Sequence, residues 1–276
     1  MIRKIAKKAI GPLLVPYLNP LVVPFRPGNV IMFHIGRCGS TVVADLLNQH
    51  PRIHWASEFY SSIFHDWQRI NGGIERVGEM ADDAVELLQR NMQFALHRYY
   101  GFEIKPFHFR LIGYSPDSFL HHADSLGFTH FILLDRKNRL RTMISSIIAH
   151  QNEALYHIDS NTKAQLTRVT INVNEVKVDF DVKPLLAYLS DYDGDIDALK
   201  TLLESRNSLH LTYEQDIQMD PRRAYHRICD FLALQPVDVS IKYARTNPFP
   251  ICDMIENIEE VRQALHGTPY EWMLDD

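Results

Sequence analysis

The chain has 276 residues, 46% hydrophobic and 23% charged, a balance that fits a water-soluble globular protein with one large α/β domain or two small ones. With 34 acidic against 29 basic residues the net charge is −5, so no global basic field recruits nucleic acid, and any anion must be gripped by local cations and backbone amides. Three scattered cysteines (Cys38, Cys229, Cys252) exclude a disulfide framework or a cysteine-based zinc site and fit a reducing, cytoplasmic setting; the 14 histidines include no HExxH pair, and no metal is expected.

Residues 1–28 read as a basic, proline-containing arm. Arg3, Lys4, Lys7 and Lys8 precede an apolar run broken by Pro12, Pro16, Pro20 and Pro24, which rules out a continuous membrane-spanning helix. Two readings stand for the arm: packing on the domain, or peripheral contact of a basic segment with an anionic membrane surface.

From residue 29 onward the pattern predicts a single domain, 29–276, in which strands alternate with helices. An apolar strand, Val30–Ile35, runs into Gly36-Arg37-Cys38-Gly39-Ser40-Thr41, and Val42, Val43, Leu46 and Leu47 then take helical spacing until His50-Pro51. An extended segment, Ile53–Ser57, leads to Glu58. Helical spacing of Ala84, Leu87, Leu88, Met92, Ala95 and Leu96 predicts a helix over Met80–Tyr100. There follow a strand Gly101–Lys105, a helix Pro116–Leu126, a strand Phe131–Leu134 and an amphipathic helix Leu140–His150. A polar section, Tyr156–Asp181, reads as an excursion or lid. A helix Pro184–Ser205, a strand Leu209–Tyr213, a helix Pro221–Ala233 and a last helix Asp253–Leu265 complete the chain. Such alternation predicts a parallel sheet covered on both faces, with the ligand at the carboxyl ends of its strands.

The Gly36–Thr41 loop is an anion site by construction. Two glycines let a phosphate-sized group approach, the amides and dipole of a helix N-terminus converge on it, and an arginine and two hydroxyls surround it. A second cationic cluster follows the strand Phe131–Leu134: Arg136, Lys137, Arg139 and Arg141 lie within six positions, with Ser145-Ser146 on the helix behind. An arginine at a strand end with a serine on the following helix suits a phosphate monoester. Basic residues at a helix N-terminus oppose its dipole, which favours a bound anion there. The first loop lacks the lysine and the four-residue glycine spacing of a Walker A motif, so ATP or GTP as phosphoryl donor is poorly supported.

These segments resemble a family. Gly36–Thr41 with Asn48-Gln49-His50-Pro51 is similar to the phosphosulfate loop of sulfotransferases dependent on 3′-phosphoadenylyl sulfate (PAPS), in the branch that includes tyrosylprotein and bacterial carbohydrate or lipid sulfotransferases. Asp135-Arg136-Lys137-Asn138 through Ser145 resembles the family's 3′-phosphate segment. Leu211-Thr212-Tyr213-Glu214-Gln215-Asp216-Ile217 with Asp220-Pro221 resembles its Tyr-Glu strand end, and Ile255-Glu256-Asn257 and Gly267-Thr268 resemble segments of its C-terminus. The resemblance implies a P-loop-NTPase-like three-layer α/β fold and sulfuryl transfer from PAPS to a hydroxyl of a carbohydrate, lipid, phenol or peptide. It implies cosubstrate contacts from Gly36, Arg37, Cys38, Gly39, Ser40 and Thr41, with Arg37 on the sulfuryl oxygens, a 3′-phosphate site of Arg136 and Ser145, and Tyr213 at the adenine end. Glu58 becomes the candidate general base, its pKa raised by burial. Lys105 would stabilise the moving sulfuryl, and His108 is a rival base.

Several positions depart from the family's pattern. Cys38 and Gly36 replace a common serine and proline, and the spacing from Arg136 to Ser145 is one residue long, which leaves Lys137 and Ser146 as alternates. Lys242 and Arg245 are candidates for the C-terminal loop that closes over PAPS. Phe59, Tyr60, Phe64, Trp67, Tyr99 and Tyr100 offer aromatic surface for an acceptor or, equally, a core. Two other readings remain: a nucleotide-dependent kinase of the same fold, and a non-catalytic nucleotide-binding protein.

Overall fold

The computed structural model describes residues 26–61, 81–151, 158–178 and 181–275. Five parallel strands form the central sheet: β1 (Asn29–His34), β2 (Ile53–Trp55), β3 (Tyr99–Ile104), β4 (Phe128–Asp135) and β7 (Ser208–Thr212), in the order β2-β3-β1-β4-β7. Every residue of β1 is buried. Its alternate side chains serve two cores, as a strand covered on both faces requires. Val30 and Met32 pack with Val43, Leu46 and Leu47 of α1 (Ser40–Gln49) and Ala224, Tyr225 and Ile228 of α7 (Arg222–Phe231). Ile31 and Phe33 face Leu88 and Met92 of α2 (Ala81–Met92), Phe109 of α3 (Pro106–Ile112), Phe119 and Leu120 of α4 (Pro116–Ser125), and Leu199 and Leu203 of α6 (Leu185–Leu203). The three-layer α/β arrangement expected from the alternating pattern is the one that forms.

Because β1 is central and the chain leaves it towards β3 on one side and β4 on the other, the crevice at its carboxyl end is the topological switch point, where open α/β sheets bind ligands. A third core lies beside it. Leu140, Met143, Ile144 and Ile148 of α5 (Arg139–Gln151) pack with Val169, Ile171, Val176 and Val178 and with Ile251, Met254, Val261 and Leu265 from the C-terminal region. The described part of the polar section is therefore a packed layer that includes the hairpin β5 (Val176–Val178) and β6 (Asp181–Lys183).

Three boundaries differ from the pattern. The helix expected over Met80–Tyr100 ends at Met92; a short turn follows, Leu96 takes φ 53°, and Tyr99 and Tyr100 join the sheet opposite Ile53 and Asn29. Arg26 closes the helix end by donating to the carbonyls of Met92 and Leu96 at 2.9 and 3.0 Å. Helical spacing at Ala95 and Leu96 is thus overridden by strand pairing of two aromatic residues. The helix Asp253–Leu265 is split into α8 (Ile251–Met254) and α9 (Ile258–Leu265). Between them Ile255 bridges Val169, and the Asn257 side chain takes both backbone groups of Ile171, at 2.9 and 2.8 Å. Helix α3 is additional; Pro106 sits at its first turn and Gly113, at φ 71°, ends it.

Residues 1–25 of the expected N-terminal arm lie outside the described residues, as do Phe64 and Trp67. Phe59, Tyr60, Tyr99 and Tyr100 are core residues, each under 10% exposed, and offer no open surface to an acceptor. Among the described residues no helix is long and apolar enough to cross a membrane.

Gly101 has a specific structural duty. It stands opposite Trp55, and a Cβ there would lie 2.2 Å from the indole ring carbons, a rigid buried neighbour. Gly101→Ala should therefore destabilise the protein by roughly 1–3 kcal/mol through overpacking. Urea unfolding checks this; an unchanged midpoint would show that the indole can retreat.

Candidate active site

The Gly36–Gly39 loop turns left-handed three times: Gly36 has φ 87°, Arg37 47° and Gly39 84°. Arginine in this region is uncommon and costs energy, so surrounding contacts must hold it. At Gly39 a side chain has no room, because a Cβ would meet Ile217 at 2.9 Å and Tyr213 at 3.3 Å. No side chain caps α1, whose first turn faces the loop with Ser40 and Thr41. Cys38 departs from expectation: it is wholly buried and its side chain belongs to the core beneath the loop.

One side of the crevice is cationic. Arg136, 7% exposed, donates Nη1–H to the Arg37 carbonyl at 2.8 Å and stacks on the Tyr213 ring, 4.3 Å from its centroid. Its Nε has no hydrogen-bond partner. Burial, with a further push from Arg245, lowers its pKa from the usual value, against the pull of Tyr213 and Glu214. For Arg141, burial and then Arg136 and Arg245 bring the pKa down to about 10. Its guanidinium donates to the carbonyls of Asn247 and Phe249 at 3.0 and 2.6 Å. Arg37 reaches the same place, its Nε donating to Ser145 Oγ at 2.9 Å, and Asn247 Nδ2 meets that oxygen at 3.3 Å. Burial of guanidinium groups beside one another disfavours their charged forms, and a bound anion would offset that cost.

Of the residues expected in the second cationic cluster, Arg136, Arg141 and Ser145 meet here; Arg245, expected in a loop closing over PAPS, lies near them, and Asn247 was not expected. Arg141 stands two residues beyond Arg139 in a basic run, and only the fold shows that the two part. Arg139 is bound by Asp135 and Asp193, and Lys137 is exposed. Glu214 accepts the backbone N–H groups of Lys137 and Asn138, both at 3.2 Å. The start of α5 is therefore neutralised by protein carboxylates, and an anion beside Arg136 would be held by side chains. Lys242 turns away to Asp45 at 2.5 Å.

The other side carries the carboxylates. Glu58 follows Ser57, whose carbonyl accepts the Glu103 amide at 2.9 Å and so extends the pairing of β2 with β3. Lys105 Nζ lies 2.7 Å from Glu58 Oε2 and would be 3.7 Å from a Cβ on Gly36, so this lysine spans base and loop. Burial raises the Glu58 pKa, as expected, but Lys105 at 2.7 Å outweighs it and brings the carboxyl to about 2. The expected elevation is corrected: a cation at contact distance defeats partial burial.

His108 is corrected too. Its Nδ1 accepts the Lys105 amide at 3.0 Å, capping α3, and its Nε2 meets Ser61 Oγ at 2.7 Å. Ser61 in turn donates to Glu58 Oε2 at 3.1 Å. Burial, then Lys105, lowers the imidazole pKa to about 3. Both ring nitrogens are engaged, so His108 props Glu58 through Ser61 and has no lone pair to offer as a base.

Beneath Glu58 lies a group that the sequence reading passed over. His34 is wholly buried at the end of β1, with Nε2 3.2 Å from Glu103 Oε2 and 3.7 Å from Glu58 Oε1. Glu103 is 2% exposed and takes the Trp55 indole N–H at 3.0 Å. An acid inside the apolar strand Tyr99–Ile104 was the available signal. By spacing, His34, Glu58 and Glu103 could surround a cation. However, His34 Nδ1 accepts the Gly36 amide at 3.0 Å, which leaves the ring proton on Nε2. A metal-bound imidazole donates from its far nitrogen, so this arrangement fits a proton network better than an ion.

No known family's sequence profile matches the chain, and no curated protein resembles it in sequence. Among solved structures it is similar to a sulfotransferase from Alicyclobacillus acidocaldarius, at 14% identity and TM-score 0.48, over 90% of this chain and 94% of that one. It is also similar to mouse sulfotransferase SULT7A1 complexed with PAP, at 13% identity and TM-score 0.38, over 80% of this chain and 64% of that one. Likeness of this degree assigns neither chemistry nor ligand.

Removing the lysine should release the carboxylate. Lys105→Met is expected to move the Glu58 carboxyl resonance titration upward from about 2. A depressed carboxylate stabilises the fold above its unfolded pKa, near 4.5, and that contribution fades as pH falls through about 2. The stability gap between wild type and Lys105→Met should thus be largest above pH 4.5 and close towards pH 2. A gap independent of pH would mean that the pair does not control Glu58.

Proposed function

We propose that the chain is a sulfotransferase that moves a sulfuryl group from PAPS to the hydroxyl of an acceptor. The observation that carries this reading is geometric: Arg136 donates to the Arg37 carbonyl and Arg37 to Ser145 Oγ, which brings the cations that follow β4 onto the Gly36–Thr41 loop, with Glu58 paired to Lys105 on the loop's other side. Two anion positions and a carboxylate around one strand end suit a nucleotide phosphorylated at both ends of its ribose.

In this reading Gly39, Ser40 and Thr41 hold the 5′-phosphate at the α1 N-terminus, while Gly36, its N–H given to His34, shapes the loop. Arg136, Ser145 and Arg141 take the 3′-phosphate. Tyr213, already a platform for Arg136, stands at the adenine end. Arg37, expected on the sulfuryl oxygens, is tethered to Ser145 and is assigned here to the phosphate side, which leaves Lys105, paired with Glu58, as the cation assigned to the transferred group. PAPS supplies the sulfuryl as a phosphate–sulfate anhydride. Glu58 accepts the acceptor's proton as the acceptor oxygen bonds to sulfur, and the bond from sulfur to the bridging oxygen breaks, leaving that oxygen on PAP. Sulfuryl oxygens beside Lys105 compete for its Nζ, which frees Glu58 from the pairing that keeps it a weak base. The protein's contribution is positioning and electrostatics, as in phosphoryl transfer.

PAP should raise the melting temperature well beyond ADP, since only PAP fills both anion positions; at 100 times its Kd a ligand adds about 2.7 kcal/mol. Arg136→Ala should erase the difference between the two nucleotides while the protein still melts cooperatively. Equal shifts in the wild type would remove the 3′-phosphate assignment and return a kinase-like reading.

A further inference from the structure

We infer that His34 is the positioning residue that ties the anion loop to the base, an inference that rests on the role of Glu58 proposed above. His34 is the last residue of β1, the strand at the switch point, and no part of it is exposed. Its two nitrogens serve different parts of the site. Nδ1 accepts the Gly36 amide at 3.0 Å, which fixes the first left-handed turn of the loop. Nε2 lies between Glu103 Oε2 at 3.2 Å and Glu58 Oε1 at 3.7 Å, in line with neither. Glu103 is itself anchored by Trp55, so the imidazole is the movable piece between a fixed carboxylate and the base.

The groups that face His34 are Cys38 from the loop, Glu58 after β2, Glu103 from β3 and, at longer range, His108 from α3. Lys105 pairs with Glu58 on its far side. A rotation of the imidazole that favours one carboxylate moves the Gly36 amide, and a shift of the loop moves Nε2. Loop geometry and base geometry are therefore not independent. The Gly36 N–H points to protein, so the loop is shaped before a ligand arrives.

The two arms can be tested separately. Asn places an acceptor near the Nδ1 position and loses the reach to the carboxylates; Gln reaches the Nε2 position and loses the acceptor for Gly36. His34→Asn should keep PAP affinity, lower kcat by roughly 10–100-fold and displace the acid limb of its pH profile. His34→Gln should weaken PAP binding by roughly tenfold, the worth of about one hydrogen bond, with the acid limb in place. Equal losses of affinity and kcat in both variants, or no loss in either, would overturn the inference.

Should either variant fail to fold, 15N–1H correlation spectra of the wild-type imidazole decide instead. The proton is expected on Nε2 with Nδ1 as acceptor, and a protonated Nδ1 would overturn the link to Gly36. Wild type that binds PAP but transfers sulfuryl to no acceptor would defeat the reading of Glu58 while leaving the link between His34 and Gly36 measurable through PAP affinity.

Discussion

A loop that turns left-handed at Gly36, Arg37 and Gly39 persists only when it is held from outside, and what holds it organises the whole crevice. On one side the imidazole of His34 accepts the Gly36 amide; on the other the guanidinium of Arg136 donates to the Arg37 carbonyl. Each of these buried groups then imposes demands on its own surroundings. His34 brings Glu103 and Glu58 with it, and Arg136 brings Tyr213, Arg141 and the C-terminal loop. The parallel sheet makes this convergence possible, since β1, β3 and β4 end side by side at the switch point.

The two halves are electrostatically opposite. On the arginine side, burial depresses both Arg136 and Arg141, and Arg136 and Arg245 depress Arg141 further, a cost that an anion would relieve. On the carboxylate side, Lys105 holds Glu58 fully ionised and engaged, and His108 and Ser61 fix its orientation. Lys105 is the piece that can answer to both halves because it touches the carboxylate and lies across Gly36. In the proposed reading, an anion in the loop and proton uptake at Glu58 would be coupled through this one ammonium group.

Much of the architecture was legible in the sequence because buried parallel strands read as short apolar runs and their helices as amphipathic stretches. The Gly36–Thr41 loop and the Arg136–Ser145 cluster could be proposed from residue type and position after a strand, and Glu58 from the family resemblance; the fold brings them to one end of the sheet. Other features depend on contacts remote in sequence. Helical spacing continued through Ala95 and Leu96, and only pairing with β1 and β2 shows why Tyr99 begins a strand. The break at Ile255 is set by Val169, and the depression of Glu58 by a lysine 47 residues away. Burial alone pointed to a raised pKa, and the sign reversed because a partner lay within contact distance. His34 ended a strand as an unremarked histidine, yet its two nitrogens join the two halves of the site.

The central claim is that Glu58, Lys105 and the Gly36–Thr41 loop form one sulfuryl-transfer site, and labelled sulfate transfer from PAPS tests it most directly. Across a panel of glycans, lipids, peptides and phenols, the wild type should label at least one hydroxyl acceptor. Glu58→Gln should bind PAP as well as wild type yet transfer slower by roughly 10²–10⁴-fold, the usual contribution of a positioned base. Transfer undiminished by Glu58→Gln, or a wild type that labels none of these acceptors, would contradict the account.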